Sequence, residues 1–540
     1  MLAMNQTIEE SFVQPEAVAV QPVPSWRSAA FPVVDVFAGP GGLGEGFSLS
    51  SNENGKPHFN TVVSIERDQF SHQTLLLRHF IRQFPEGEAP DEYYSFLRGG
   101  ITRKEMYHLY PQAYAHAVES ALRISLGPES RADVEKIIQN RVGNSRRWAL
   151  VGGPPCQAYS LVGRSRMMGR KGFAEDERHT LYLEYLRIIV DHRPPVFVME
   201  NVKGLLSATI DGKSAINRIV GDLSRPGTAI PGVADDLRYK LYSLTEQDLA
   251  EEDVDPRLFV VRAEEYGIPQ ARHRMFIVGI RGDIKLRPGS LKKMAAPSVQ
   301  DTIGSLPPIR SALSKAKDSA AAWLSELQAL STININSELD GAYIDSDVAK
   351  ALDRRRFETL KIPNAISSSQ YNIPKSDHGV LSSLSDERLS VLTSHEARSH
   401  MASDLRRYLY AATFAESTGR SPKLADFPTN LLPDHRNVEE GRTGKMFSDR
   451  FRVQLAGQVA TTITSHISKD GHYFIHYDPA QCRSLTVREA ARLQTFPDNY
   501  FFSGPRTEQY HQVGNAVPPQ LARQIADIVA EVLHALPDGN

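Results

Sequence analysis

Cys156 is one of only two cysteines in 540 residues, and it follows two glycines and two prolines in VGGPPCQAYS (151–160). A thiol is a useful nucleophile only as thiolate, and a loop beside basic residues is where its pKa can be lowered. The proline pair fixes two φ angles and makes the turn stiff. The alternative is a structural cysteine, because cysteine is among the most often buried residue types. The prolines before it, Gln157 after it and the basic loop beyond favour a nucleophile over burial.

A glycine-rich turn and an acidic residue indicate a second kind of chemistry near the start of the chain. FAGPGGLGEGF (37–47) fits the pattern G-x-G-x-x-G through Gly39, Gly41 and Gly44. This pattern alone is a weak signal, and it would suit a nicotinamide dehydrogenase as well. Glu66 ends the next apolar run, where a carboxylate accepts hydrogen bonds from ribose hydroxyls. These residues predict a nucleotide-like cofactor and leave its kind open.

The elements that would carry these residues form an α/β pattern. An apolar strand that runs into a glycine-rich turn is predicted within 31–47, and further apolar strands are predicted at 61–68, 148–156, 194–202 and 273–283. Helical spacing of apolar residues is found in 72–84, 112–124 and the last segment, 520–536. Together they predict a doubly wound sheet whose ligands bind at the carboxyl ends of the strands. From about 288 to 455 strand–helix alternation is hard to see, which predicts an inserted domain.

Composition excludes several protein classes. The chain is 41% hydrophobic and 23% charged, with a net charge of −2, as is usual for a globular protein. No apolar run approaches the ~18 residues that span a bilayer, and two cysteines cannot form a disulfide framework. We therefore expect a cytoplasmic protein. Two segments are rich in basic residues: 161–173 contains four and 270–293 contains seven. They fit either ordinary solvent-exposed surface or a groove that binds a polyanion, and the sequence leaves both interpretations open.

Six motifs in order resemble the DNA cytosine-5 methyltransferase family. They are DVFAGPGGLGEGF, GGPPCQAYS, MENV, QARHR, LTVREAARLQTFPD and GNAVPP. The resemblance covers residues from about 31 to 287 and from about 455 to 537. It implies a Rossmann-like S-adenosylmethionine-dependent methyltransferase fold with an inserted, mixed target-recognition domain. The domains expected from it are a loose tail (1–30), a catalytic, cofactor-binding domain (31–287 plus 508–537), and a target-recognition domain with its return segment (288–507).

The resemblance also implies the roles of the catalytic residues. Cys156 would add to carbon 6 of a flipped cytosine, because carbon 5 is a poor nucleophile until the ring is activated. Glu200 of MENV would act as general acid at N3 and read the exocyclic amine, for which burial should raise its pKa. Arg272 and Arg274 are expected on one face of a single strand. The family implies that they contact the base carbonyl and the active-site loop, with Arg274 closer to the chemistry.

The cofactor implied by the resemblance is S-adenosyl-L-methionine. The residues expected around it are Phe37, Gly39, Gly41, Leu43, Glu66, Pro154, Asn515 and Val517. The family usually has an acidic residue near the adenine amine, and this sequence leaves its place open, with Glu129 and Asp133 as candidates. His466, His472 and His476 lack cysteine partners, so no metal site is expected.

The expected partner is double-stranded DNA, bound by a monomer that is nucleoid-associated through this binding and is separate from any cognate restriction endonuclease. Two alternatives stay open from the sequence. One is an RNA (tRNA) cytosine-5 methyltransferase with the same chemistry, and the other is a cofactor- and DNA-binding regulator without turnover. The long variable segment favours DNA, and the intact Cys156, Glu200 and Arg274 argue against the regulator.

Overall fold

The structure is a computed structural model that describes most of the chain. The described residues are 29–155, 177–210, 213–233, 235–246, 255–315, 317–328, 348, 350–352, 363–372, 379–433 and 448–537. The predicted nucleophile Cys156 and the basic run 161–173 lie outside the described residues.

The first part of the chain forms three strands and five helices. They are β1 (Phe31–Val36), α1 (Gly42–Ser48), β2 (Phe59–Ile65), α2 (Gln69–Ile81), α3 (Asp91–Leu97), α4 (Arg103–Leu109), α5 (Pro111–Ser120) and β3 (Ala121–Leu122). β1 and β2 pair in parallel, which confirms the predicted βαβ unit. The helix predicted over 112–124 ends earlier, because Ala121 and Leu122 pair with β2 as a strand.

The middle of the chain completes the sheet. Its elements are α6 (Arg131–Val142), β4 (Ala149–Gly152), α7 (Glu177–His192), β5 (Val196–Val202), β6 (Thr209–Ile210), β7 (Lys213–Ser214), α8 (Ala215–Ser224), β8 (Tyr239–Tyr242), β9 (Val260–Arg262), β10 (Gln270–Ala271) and β11 (His273–Arg281). The strand order is β3-β2-β1-β4-β5-β11-β8, with β9 beside β11. The strands from β3 to β5 are parallel, and β11 is antiparallel to β5 and β8.

The strand order reverses between β1 and β4, and this point positions the candidate site. In open α/β sheets, ligands bind in the crevice outside the carboxyl ends of the strands at such a switch point. The glycine turn follows β1, and the GGPP segment follows β4. A Cβ on Gly152 would lie 2.5 Å from the Val36 carbonyl oxygen, so glycine allows the two strand ends to approach closely. The predicted doubly wound fold is therefore confirmed.

Alternate side chains of the sheet enter two different cores. Val34 and Val36 pack into a core with α6, α7 and α8, whereas Val33 packs on the opposite face with α1 and the last helix of the chain. Successive residues of a strand point to opposite faces, so these near-continuous apolar strands are buried on both sides. Burial on both faces fixes the register of the strand ends that carry the candidate site.

The rest of the chain is mostly helical and irregular. Its elements are α9 (Val299–Ile303), β12 (Ala312–Leu313), α10 (Ala320–Gln328), α11 (Gly379–Ser382), β13 (Ser399–His400), α12 (Ala402–Thr418), β14 (Ala460–Thr461), α13 (Val487–Leu493), α14 (Arg506–Asn515) and α15 (Pro519–His534). α10 and α12 share a core of their own with residues near Phe451 and Cys482. α15 packs on α1. Among the described helices, none is long and apolar enough to cross a membrane.

Candidate active site

The glycine turn after β1 forms an open cradle at the switch point. Phe37 has φ +58°, Gly39 φ +58° and Gly41 φ +97°, and Gly41 is the N-cap of α1. A Cβ on Gly39 would have no heavy atom within 4 Å beyond its chain neighbours, so the space at this side of the turn is open. The turn therefore brings main-chain atoms to an accessible surface, as a bound cofactor requires.

Glu66 closes one side of this cradle. Its Oε2 accepts a hydrogen bond from the Gly39 N–H at 2.8 Å, and its Oε1 accepts one from the Asp68 N–H at 2.7 Å. Each carboxylate oxygen keeps a further lone pair for a ligand hydroxyl. Burial raises the pKa of Glu66, and the backbone hydrogen bonds oppose this effect. The carboxylate is thus fixed in position relative to the glycine turn.

The GNAVPP segment lies against the same turn. A Cβ on Gly42 would lie 2.3 Å from the Val517 carbonyl oxygen, so only glycine permits this approach. The side chains of Leu43 and Val517 share one hydrophobic core, and Asn515 is exposed at the end of α14. The structure therefore brings together two motifs that are almost 500 residues apart.

Glu200 and Arg274 form an ion pair at the carboxyl end of β5. Arg274 Nε lies 3.3 Å from Glu200 Oε1, and each side chain is only 16% exposed. Burial raises the pKa of Glu200, whereas Arg274 and Arg272 oppose the rise. A Cβ on Gly153 would lie 2.8 Å from Glu200 Oε2. The GGPP segment that leads to Cys156 therefore packs directly on the Glu200 carboxylate.

Asn201 fixes the GGPP segment to β5, and the sequence analysis missed this role. Its Nδ2 donates a hydrogen bond to the Pro154 carbonyl oxygen at 3.1 Å, and its Oδ1 accepts one from the Val202 N–H at 2.8 Å. Both Asn201 and Pro154 are buried. The signal was available, because Asn201 is the third residue of the MENV motif.

The expectation that Arg272 and Arg274 lie on one strand is wrong. Arg272 occupies the single residue between β10 and β11, where its N–H donates to the Gln270 carbonyl. The residue is only 1% exposed, and its guanidinium donates to the Ile463 carbonyl at 2.7 Å and the Gly514 carbonyl at 3.1 Å. β10 pairs with β14, and this pairing turns the chain out of the β11 ladder.

Gln270 extends the same buried network and was also missed. It donates to the Leu493 carbonyl at 3.1 Å and to Gln494 Oε1 at 2.7 Å, and it accepts from the Ile463 N–H at 2.7 Å. Gln494 in turn donates to the Ala516 carbonyl at 3.0 Å. QARHR, LTVREAARLQTFPD and GNAVPP thus meet through buried amide and guanidinium groups, as buried polar groups require.

Comparison with known proteins identifies the family. The family model described as C-5 cytosine-specific DNA methylase matches residues 123–531, which is most of the chain. The chain belongs to this family. Type II methyltransferase M.Bpa9945I of Bacillus paralicheniformis is 31% identical over 93% of this chain and 99% of its own. Type II methyltransferase M.DdeI of Desulfomicrobium norvegicum is 24% identical over 94% of this chain and 91% of its own.

A third relative is the DNA (cytosine-5-)-methyltransferase M.ApeKI of Aeropyrum pernix, which is 26% identical over 79% of this chain and 93% of its own. The protein is therefore a DNA (cytosine-5-)-methyltransferase, related to the methyltransferases of type II restriction-modification systems. This confirms the resemblance that the ordered motifs indicated.

The sequence left open which acidic residue would contact the adenine amine of the cofactor. The N–H of Glu66 donates a hydrogen bond to the carbonyl of Leu122, the last residue of β3, at 3.0 Å, and Arg123 follows β3 directly. The candidates for the acidic adenine contact, Glu129 and Asp133, are exposed, and no hydrogen bond or ion pair within the described residues joins either to Glu66. Cys482 is 1% exposed within a hydrophobic core, as expected for a packing role.

Proposed function

We propose that this methyltransferase methylates carbon 5 of a cytosine flipped out of duplex DNA, with Cys156 as the covalent nucleophile. The observation that carries the proposal is the packing of Gly153, just after β4, on Glu200, whose carboxylate pairs with Arg274. Cys156 lies outside the described residues, but only three peptide units separate it from Gly153. We therefore propose that a nucleophile, a general acid and a cation from three separate motifs act in one crevice.

The open cradle fits S-adenosyl-L-methionine. Its ribose would be held by Glu66, whose oxygens retain free lone pairs, and the space beside Gly39 is open for its methionine part. Phe37, Gly41, Leu43, Pro154, Asn515 and Val517 complete the proposed surround. When bound, the cofactor supplies an electrophilic methyl group.

The residues of the chain activate the base. The Cys156 thiolate forms a bond to carbon 6, and the electron pair of the 5,6 double bond becomes available at carbon 5. Glu200 donates a proton or hydrogen bond to N3, so that negative charge does not build up on the ring. After carbon 5 is methylated, its proton leaves to a base. The thiolate then leaves carbon 6, which restores the double bond and the free enzyme.

Arg274 and Arg272 serve this step in different ways. Arg274 is partly exposed beside Glu200, where it can donate to the base carbonyl and hold the carboxyl group in position. Arg272 is buried on two main-chain carbonyls, so we assign it to positioning the segments that carry Ile463 and Gly514. Its buried charge also favours the ionised form of Glu200, against which desolvation acts.

Residues from about 288 to 455 are proposed to choose the target sequence. Specificity needs side chains that reach base edges, while phosphate contacts only position the enzyme. Within the proposed 288–507 unit, α10 and α12 have a core separate from the sheet, as an independent target-recognition module requires. Residues 31–287 plus 508–537 would form the catalytic domain. We further propose a monomer that protects its own sites from a separate cognate restriction endonuclease.

A mechanism-based trap tests the nucleophile. The protein is mixed with S-adenosyl-L-methionine and a duplex that carries 5-fluorocytosine at the target. Fluorine replaces the proton that must leave carbon 5, so elimination is blocked after methyl transfer and the Cys156 adduct persists. Wild-type protein should give a complex that resists denaturant in gel electrophoresis.

The two cysteines provide a matched pair of variants. Cys156→Ser should give no stable complex, whereas Cys482→Ser should trap DNA like the wild type, because Cys482 is buried in a core. A stable complex with Cys156→Ser, or trapping that is lost only with Cys482→Ser, would show that Cys156 is not the nucleophile.

A further inference from the structure

A helical segment near the start of the chain is joined to a segment far along it. The first, residues 85–120, contains α3, α4 and α5, and the second, residues 384–392, lies within the proposed target-recognition region. We call them the brace and the recognition segment. Leu389 is buried in the same core as Tyr93 and Tyr94 of the brace. The two segments are about 300 residues apart in sequence and share one hydrophobic cluster.

Arg388 makes most of the polar contacts between them. Its Nη1 donates to the Gly87 carbonyl at 3.1 Å and to the Ala89 carbonyl at 2.5 Å, and its Nη2 pairs with Asp91 at 2.6 Å. The guanidinium also lies over the Tyr94 ring, 4.4 Å from its centroid. Arg388 therefore receives carbonyl, carboxylate and aromatic contacts from a single loop and helix of the brace.

Asp386 makes further contacts between the brace and the recognition segment, and we call the whole set of contacts between these two segments the joint. Its Oδ2 accepts hydrogen bonds from the Tyr94 hydroxyl and from Asn499 Nδ2, each at 2.7 Å, and its N–H donates to the Tyr371 hydroxyl at 3.1 Å. Its Oδ1 accepts from the Arg388 N–H at 2.9 Å, so the two residues form one local turn. Four segments of the chain therefore meet at Asp386, three of them at its carboxylate.

The joint also reaches the cofactor side of the molecule. Asn499 Oδ1 accepts from Arg78 Nη1 at 3.2 Å, and Arg78 forms a buried ion pair with Glu45 at 2.5 Å. Glu45 lies on α1, the helix that begins at the glycine turn. The recognition segment is therefore connected to the cofactor-binding turn through three side chains.

The recognition segment leads directly into the proposed target-recognition module. Val391 bridges to Gln370, and Glu396 bridges to Ser367. β13 then pairs with β12 and is followed by α12, the central helix of the separate core. A shift of residues 384–392 would consequently move the start of this module relative to the crevice.

We propose that the brace sets the orientation of the target-recognition module on the catalytic domain. Arg388 and Asp386 of the recognition segment are the positioning residues. The inference rests on the proposed role of residues 288–455 in target choice. A module that is already held in its binding orientation loses less conformational freedom when DNA binds, so less of the binding free energy is spent on ordering it. A loosened module would therefore bind DNA less tightly and discriminate less between sites.

The contacts differ in their expected importance. The Asp91 side chain is 92% exposed, and exposed ion pairs contribute little. The bond to the Ala89 carbonyl is partly buried and the Tyr94 ring is buried, and these contacts use the planar fork of arginine, which lysine lacks. Arg388→Ala should therefore release the joint, Arg388→Lys should restore part of it, and Asp91→Asn should leave it intact.

The test compares these variants in full-length protein. The measurements are KM for a cognate duplex, kcat, cofactor affinity by calorimetry, the unfolding midpoint, and methylation of cognate against single-mismatch sites by bisulfite sequencing. Arg388→Ala should raise KM for DNA about tenfold and reduce site discrimination, with kcat and cofactor affinity close to wild type. Arg388→Lys should be intermediate, and Asp91→Asn should match the wild type.

Two results would overturn the proposal. One is an unchanged KM and discrimination in a folded Arg388→Ala protein. The other is a parallel loss of cofactor affinity, kcat and thermal stability, which would show a general structural defect. A failure of the target-choice assignment is recognised separately, because exchange of residues 288–455 with a relative would then leave the methylated site unchanged.

Discussion

At the scale of single residues, the crevice places a carboxyl group where burial opposes its ionisation. Glu200 is held by Arg274 and by the close approach of Gly153, so it has little freedom to turn toward water. Asn201, the next residue, holds the GGPP segment. One end of β5 therefore supplies both the proposed acid and the anchor for the GGPP segment that precedes the proposed nucleophile.

The raised pKa of Glu200 predicts an alkaline limb in the pH profile of kcat. Glu200 must be protonated to donate at N3, so activity should fall as pH rises through its pKa, while the thiolate of Cys156 needs the opposite change. Glu200→Gln should lower kcat by about 10²–10⁴-fold and remove the alkaline limb. Steady-state kinetics across pH measures both effects.

Glu264 offers a control for this experiment, because it pairs with His273 beside the site but does not contact Glu200 in the described residues. Glu264→Gln should keep the wild-type profile. If Glu200→Gln retains the alkaline limb, another group is responsible for it.

A second buried carboxyl group predicts how stability depends on pH. Asp35 is fully buried beside Gly44, and burial raises its pKa to about 7. The folded state therefore holds this proton more tightly than the unfolded chain, so the contribution of Asp35 to stability is fully present below about pH 4 and is lost as pH rises toward 7. Asp35→Asn is neutral at every pH and should escape this loss.

Urea unfolding of the cofactor-free proteins from about pH 4 to pH 8 provides the measurement. Relative to wild type, the unfolding free energy of Asp35→Asn should rise by up to about 1.4 kcal/mol per pH unit between about pH 4 and 7 and then level off. A difference that is constant with pH would show that Asp35 has an ordinary pKa.

At the scale of elements, the candidate site forms where segments that are distant in sequence come into contact. The glycine turn before α1 meets the link between α14 and α15 at Gly42 and Val517. α13 begins with a capping box in which Thr486 and Glu489 satisfy each other's backbone N–H groups, and Glu489 also binds the buried Arg483. The LTVREAARL motif is thus a capped helix that carries the network of Gln494.

Two glycines of the turn should respond differently to alanine. In Gly42→Ala the new Cβ would meet the Val517 carbonyl oxygen at 2.3 Å, so the turn and the α14–α15 link must separate. Such overpacking costs about 1–3 kcal/mol, and cofactor affinity should fall with it. Gly39→Ala has open space, and it should lose only about 1–2 kcal/mol to its positive φ.

Unfolding by urea and cofactor binding by calorimetry distinguish the two variants. We expect Gly42→Ala to lose more stability than Gly39→Ala. Equal stability of Gly42→Ala and wild type would mean that the link can move away without cost.

At the scale of the whole molecule, a sheet with two buried faces supports the crevice, and a separate core around α10 and α12 lies in the proposed recognition module. Separate cores allow the reading surface to vary while the catalytic crevice is kept. This arrangement predicts that target choice can be transferred between relatives.

Replacement of residues 288–455 by the matching segment of M.Bpa9945I, which is 31% identical, should move methylation to that relative's site. Cofactor affinity and trapping by 5-fluorocytosine should persist, because the catalytic motifs lie outside the exchanged segment. Bisulfite sequencing of DNA from expressing cells reads the site. An active chimera that still methylates the original site would remove this segment from target choice.

The sequence by itself determined the family and five strands of the main sheet, and it predicted the residues that we propose to line the crevice. These features are local, because apolar runs, glycine turns and short motifs each lie within a few consecutive residues. It did not predict α12, because the residues around that helix are mostly polar and its apolar face is buried only by residues that are distant in sequence.

Only the tertiary structure decided which separate motifs touch. Arg272 was expected beside Arg274 on a strand, but it bonds to the Gly514 carbonyl, 242 residues away. The approach of Val517 to Gly42 and the contact of Arg388 with the brace join residues that are still farther apart in sequence. Such contacts depend on how the chain closes long loops around two cores, and no local pattern of residue types encodes that closure.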